Sequence, residues 1–98
     1  MPYYIIFIED GITDQSEIDE YKKLVPATSA GRNMKKLAVY GEIETLEGSE
    51  ALGTVLLEFP TKQEALAWYN SDEYKKVRTH RFLGADYRVI MFEGVQNR

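Results

Sequence analysis

The chain contains no cysteine, which excludes disulfides, thiolate metal sites and cysteine nucleophiles, and fits a reducing compartment. It has a single histidine, His80, so only one side chain with an ordinary pKa near neutrality is available for acid–base work. Long apolar runs are missing as well. Tyr3 to Ile8 is too short for a membrane span or a signal core, and no basic segment precedes it. A soluble, cytoplasmic protein is expected. Basic charge is scarce: 12 Lys and Arg stand against 16 Asp and Glu, a net charge of −4. Lys22-Lys23, Lys35-Lys36 and Lys75-Lys76 are isolated pairs, whereas phosphate backbones and anionic membranes require clustered cations, so neither nucleic acid nor membrane is an expected partner. There is no glycine-rich phosphate loop, and neither a second histidine nor a helically spaced carboxylate pair accompanies His80. No nucleotide, flavin or metal cofactor is therefore expected.

What is present fits one domain of 98 residues with a single core. Its most informative stretch is Gly53 to Arg81. Thr54 to Phe59 is apolar except at Glu58 and stops at Pro60, as a buried strand would. Thr61 and Glu64 then have the capping-box spacing, in which each side chain takes the other residue's free N–H. Ala65, Trp68 and Tyr69 fall on one helical face. Asn70-Ser71-Asp72-Glu73 breaks that helix, and a second one restarts with Tyr74, Val77, Arg78 and Arg81 on one stripe.

Taken in order, Tyr3 to Ile8 is a strand closed by Glu9-Asp10-Gly11. Thr13 or Asp14 caps a helix with Ile18, Tyr21, Leu24 and Val25 on its apolar face. Pro26 either ends that helix near Val25 or kinks it towards Ala30, and Gly31 closes it in both cases. Lys35 to Leu46 is a second strand region with a bulge or bend expected at Gly41, followed by a hairpin connection from Glu47 to Gly53. Phe82 to Ala85 leads to a last strand, Tyr87 to Phe92, and Val95 to Arg98 is a short tail.

This order, βαββαβ, is the α+β ferredoxin-like arrangement, with both helices on one face of a four-stranded antiparallel sheet and the first and third strands central. Such a sheet is ordinarily polar on its uncovered face. Here Tyr4, Ile6 and Ile8 alternate with Tyr3, Ile5 and Phe7, and the third and fourth strands are also apolar on both faces. An exposed patch of that size exceeds what monomers tolerate. Burying roughly 600 Å² of it contributes about 15 kcal/mol before association costs, so a homodimer packed sheet to sheet is expected.

With that order in place, several segments resemble domain-of-unknown-function family 1330, in the dimeric α+β barrel superfamily. They are Glu20-Tyr21-Lys22-Lys23-Leu24-Val25-Pro26, Leu46-Glu47-Gly48, Leu57-Glu58-Phe59-Pro60 and Ala67-Trp68-Tyr69-Asn70-Ser71-Asp72-Glu73-Tyr74, with Arg81, Arg88 and Glu93-Gly94. The resemblance implies the barrel fold and dimerisation, and brings no assigned reaction. The chain departs from the pattern at Val39-Tyr40-Gly41, where an arginine before paired glycines is usual, and in a shortened hairpin after Gly48. The superfamily also holds haem-degrading monooxygenases. Trp68 is similar to their helix tryptophan, but Arg78 stands where their haem-ligating histidine falls, and the first strand lacks their asparagine.

Candidate site residues follow from residue type and position. His80 is either a general base or a boundary residue. Arg81 is an oxyanion holder, or else pairs with Glu73, Glu9 or Glu93. Either it forms with Tyr74 and Arg78 one wall of a pocket between helices and sheet that recognises an anionic or carbonyl substrate, or Tyr74 packs in the core. Tyr21 and Trp68 face the same cleft, where the superfamily commonly houses its substrate, unless Trp68 simply packs the core. Glu58 is an interface pair or an acid–base group. An RNA-recognition motif shares the strand order but needs exposed aromatics and a basic residue where Gly53 to Phe59 supplies aliphatics and an acid. Two functions remain: a cofactor-independent monooxygenase- or isomerase-like enzyme acting on a small organic molecule, and a non-catalytic dimeric ligand-binding or structural domain.

Overall fold

A computed structural model describes residues 1–96. Its order is β1 (Tyr3–Ile12), α1 (Gln15–Leu24), a 3₁₀ turn (Val25–Ser29), β2 (Lys35–Val39), β3 (Gly53–Phe59), α2 (Lys62–Tyr69), α3 (Asp72–Gly84) and β4 (Ala85–Glu93). The sheet runs β2-β3-β1-β4 with every pairing antiparallel. The two most apolar strands, β1 and β3, are thus central, and the order is that of the ferredoxin-like fold.

β1 and β4 are longer than their apolar runs. Glu9-Asp10-Gly11 does not close β1: the strand runs on to Ile12, with an irregularity between Glu9 and Gly11 against β4. Arg88 clamps Asp10 across that irregularity through two bonds of 2.8 and 3.1 Å. At Pro26 the α-helix stops and a 3₁₀ turn carries the chain on to Ser29, where a ring without an N–H is tolerated at the first helical positions. Gly31, with φ +75°, then turns it away.

β2 differs most from expectation. It ends at Val39, and its register shift falls between Lys36 and Ala38, not at Gly41. The strand ends at Val39 because Tyr40, with φ +50°, lies in the left-handed region that breaks extended pairing. Residues 41–52 follow as irregular chain, a longer hairpin connection into β3 than Glu47 to Gly53.

Local caps set both helices of the second half. Thr61 accepts from the Glu64 N–H at 3.1 Å, and Ser71 from the Tyr74 N–H at 3.2 Å. Only half of the expected capping box forms, because one Glu64 oxygen accepts from Asn33 at 2.9 Å and the other faces the Thr61 hydroxyl. α3 extends to Gly84, which lies so close to α1 that a Cβ there would come within 2.8 Å of the Asp14 carbonyl.

One sheet face carries Ile5, Phe7, Leu57 and Phe59, buried beneath Trp68 and Tyr74. On the other, Tyr4 lies between Glu58 and Phe92, and Ile6 between Leu56 and Ile90. Ile90 and Phe92 remain 47% and 42% exposed there, so the second face is apolar and uncovered within one chain.

Candidate functional site

A cavity of about 160 Å³ opens where the 3₁₀ turn and α2 approach the β2–β3 side of the sheet. Phe7, Val55 and Leu57 contribute from the sheet, Trp68 from α2, and Val25, Pro26 and Met34 from the segments that close it. Its polar lining is small: Tyr21, Thr28, Ser29 and Tyr40, with Lys22 and the exposed Lys36 towards solvent. A mostly apolar concavity with a few placed polar groups is the usual form of a small-molecule site.

Tyr21 enters from the apolar stripe of α1, and its hydroxyl lies 2.8 Å from that of Tyr74. Tyr74 does not line the cavity. It stands one layer behind, its ring 4.2 Å from that of Trp68. Arg81 lies deeper, 3% exposed, with its guanidinium 4.9 Å from the Phe82 ring, 5.3 Å from Tyr87 and 5.7 Å from Phe7. No carboxylate pairs with it among the described residues, and its Nε and Nη2 have no hydrogen-bond partner there. Burial raises the pKa of both Tyr21 and Tyr74, against a downward pull from the Arg81 charge. Both phenols are therefore neutral hydrogen-bonding groups near pH 7.

The two remaining predicted residues lie elsewhere. Arg78 stacks over Tyr69 at 4.7 Å and donates to the Tyr69 carbonyl at 3.2 Å. His80 places Nδ1 3.2 Å from Glu17 Oε2 and so ties α3 to α1 outside the cavity lining. The structure thus brings Tyr21, Trp68, Tyr74 and Arg81 into one layered group and leaves Arg78 and His80 apart. Glu58 of the central strand β3 pairs with Lys35 of the edge strand β2 at 3.8 Å.

Two polar chains were absent from the sequence reading. In the first, the Trp68 indole N–H donates to Thr28 Oγ1 at 3.0 Å, and Thr28 donates to the Val25 carbonyl at 2.7 Å. In the second, the Tyr40 and Tyr87 hydroxyls lie 2.7 Å apart, and Tyr87 donates to the buried Glu9 carboxylate at 2.7 Å. Burial pushes the Tyr40 phenol up to about 12 and the Tyr87 phenol higher still. Glu9 carried a readable signal, since it is in phase with the inward-facing Ile5 and Phe7 and so brings an acid to the covered face. Tyr40 carried none, because its place depends on a left-handed backbone. Among the described residues no three His, Asp or Glu side chains gather as a metal ligand set, and no helix is long and apolar enough to cross a membrane.

A four-stranded antiparallel sheet with helices on one face and a cavity beneath them places the chain in the ferredoxin-like class of α+β proteins. Within that class it belongs to the family described as Domain of unknown function (DUF1330), whose sequence profile matches residues 2–95. No curated protein matches the chain significantly. Among solved structures it is similar to a protein of unknown function from Rhodopseudomonas palustris, with a TM-score of 0.72 and 11% identity over 97% of this chain and 83% of that one. A dimeric ferredoxin-like protein of unknown function from Thermobifida fusca gives 0.70 and 11%, over 94% and 90%. A putative antibiotic biosynthesis monooxygenase from Nitrosomonas europaea gives 0.64 and 9%, over 98% and 92%.

Proposed function

We propose that this protein is a homodimer that binds a small, largely apolar organic molecule in the cavity between helices and sheet. The reaction that suits the site is cofactor-independent, of the monooxygenase or isomerase kind. The observation that carries this reading is the cavity itself, walled by Phe7, Leu57 and Trp68 and backed by the Tyr21–Tyr74 pair with the Arg81 charge behind it. An engineered apolar cavity of about 150 Å³ takes up benzene, so about 160 Å³ accommodates a single ring. Negative charge developing on such a molecule would meet the Tyr21 hydroxyl, backed by Tyr74 and a buried guanidinium, in a setting with little water to screen it. Arg81 acts through Tyr74 and Tyr21 in this account, whereas Arg78 and His80 take no part.

The uncovered sheet face supports the homodimer, with Tyr4, Ile6, Leu56, Ile90 and Phe92 meeting their counterparts on a second copy. The dimeric neighbour from Thermobifida fusca and the putative monooxygenase from Nitrosomonas europaea lend weight to dimer and chemistry respectively. A non-catalytic binding role is the second reading, favoured by one observation: the lone histidine is committed to Glu17 outside the cavity. Thermal melting with a panel of single-ring compounds tests the site. Melting temperatures rise for ring-sized apolar compounds, and Val55→Phe, which fills the cavity, abolishes the rise; equal shifts in the filled variant would refute the assignment. Turnover of any bound compound under air, without added cofactor, separates the enzyme from the binder.

A further inference from the structure

Apart from the ammonium groups of Lys22 and Lys36 at its solvent side, the side-chain protons around the cavity are almost all spent on the protein. Trp68 gives its indole N–H to Thr28, Thr28 gives its proton to the Val25 carbonyl, and Ser29 gives its own to the Pro26 carbonyl at 2.9 Å. Tyr40 is committed by a longer argument. A phenol has one proton, and Tyr87 donates its proton to Glu9. The 2.7 Å contact between Tyr40 and Tyr87 therefore has Tyr40 as donor, so the chain runs in one direction, from Tyr40 through Tyr87 to Glu9. Of those three residues only Tyr40 lines the cavity, and a phenol oxygen that donates its own proton still has lone pairs with which to accept. Tyr21, sharing one bond with Tyr74, is the one neutral lining hydroxyl whose direction is open.

The backbone is arranged to hold this chain. Tyr40 has φ +50°, a conformation a bulky side chain rarely takes, and Val39 and Tyr40, adjacent in sequence, both line the cavity as a result. Gly53 leaves the room required, since a Cβ there would come within 2.9 Å of the Tyr40 ring and 3.2 Å of Glu9 Oε1.

We infer that the cavity selects its ligand by the ability to donate a hydrogen bond: a single-ring phenol, or an enol or alcohol of that size, binding through O–H to Tyr40 in preference to a ketone or aldehyde. This rests on the cavity being the binding site, and deepens that reading by naming the ligand class. An aldehyde or ketone oxygen set against the Tyr40 hydroxyl would meet an acceptor there, the Lys22 ammonium lying over the face of the Tyr40 ring 4.0 Å from its centroid, and a buried acceptor without a donor loses the whole of its hydration.

Calorimetric titration with phenol, benzaldehyde, toluene and benzoate tests it. Phenol and benzaldehyde are similar in size and polarity but differ in having a donor, while toluene reports the cavity alone. Phenol binds about five- to ten-fold tighter than benzaldehyde. Tyr40→Phe brings that ratio to near one. Tyr87→Phe frees the Tyr40 proton and shifts the ratio towards benzaldehyde. Toluene binding together with thermal melting shows whether each variant still folds, and if both variants fail, the wild-type ratio alone decides. Equal binding of phenol and benzaldehyde beside measurable toluene binding overturns the selectivity and leaves the cavity reading intact. A preference for benzoate also overturns it, in favour of the lysines at the solvent side. No binding of any of the four at millimolar concentration overturns both.

Discussion

Replacing Arg81 by methionine should stabilise the protein while weakening its ligand binding. The guanidinium is 3% exposed and faces no carboxylate among the described residues, and two of its nitrogens have no partner there. Each unsatisfied buried donor costs about 1–3 kcal/mol, and desolvating the charge costs several more. Against this stand three ring contacts at 4.9, 5.3 and 5.7 Å, worth about 0.5–2 kcal/mol each. Methionine keeps much of the packing and imposes neither cost, so the variant should gain about 1–4 kcal/mol, and about 4–8 °C in melting temperature per kcal/mol for a domain of this size. Urea and thermal denaturation at fixed protomer concentration measure the gain. Binding of ring-sized ligands should fall in the same variant, because Tyr21 and Tyr74 lose the charge that polarises them. A loss of 3 kcal/mol or more in Arg81→Met would refute the reasoning, since that is the signature of breaking a compensated pair.

The remaining predictions concern the tyrosines, the uncovered face and one helix contact. Tyr21, Tyr40, Tyr74 and Tyr87 have folded pKa values raised above 10.0 by burial. Their contribution to stability is therefore complete below pH 10 and is lost as pH rises through about 12, the value for Tyr40. Absorbance at 295 nm should show these four ionising together with loss of the circular dichroism of the fold, and reversible ionisation of all seven near pH 10 would contradict this. Ile90→Lys, on an already exposed residue, should leave the monomer folded and abolish the dimer in sedimentation at micromolar concentration. A persistent dimer would place the interface elsewhere. Gly84→Ala forces a Cβ to 2.8 Å from the Asp14 carbonyl and Glu17 Cβ and should cost about 1–3 kcal/mol in denaturation; an unchanged midpoint would mean that α1 and α3 can part freely.

Much of the fold was legible because local and long-range signals agree. Thr61 and Ser71 cap the helices their positions announce, and the double-sided apolarity of β1 and β3 marks them as central. β2 was misjudged because its end is set by the backbone turn at Tyr40, and its irregularity at Leu37 by pairing with β3, neither of which the composition of Lys35 to Leu46 records. For the site, Tyr21 and Trp68 could be read from helical stripes that had to face the sheet. His80 attracted notice by its rarity, but a neighbouring helix carries the carboxylate that holds it. Glu9 was read as a strand terminator although its phase with Ile5 and Phe7 placed it inside. Tyr40 lay in a segment whose departure from the family pattern was visible, yet only the folded backbone brings its hydroxyl to Tyr87.

The account depends on a molecule entering the space beneath Trp68, and a nitrogen-15 correlation spectrum recorded while toluene is added tests this most directly. The expected result is saturable shifts at the Trp68 indole N–H and at the amides of Tyr40, Val55 and Leu57, with Ile6, Ile90 and Phe92 on the outer sheet face unmoved. Shifts confined to that outer face, or none at millimolar ligand, would contradict the account.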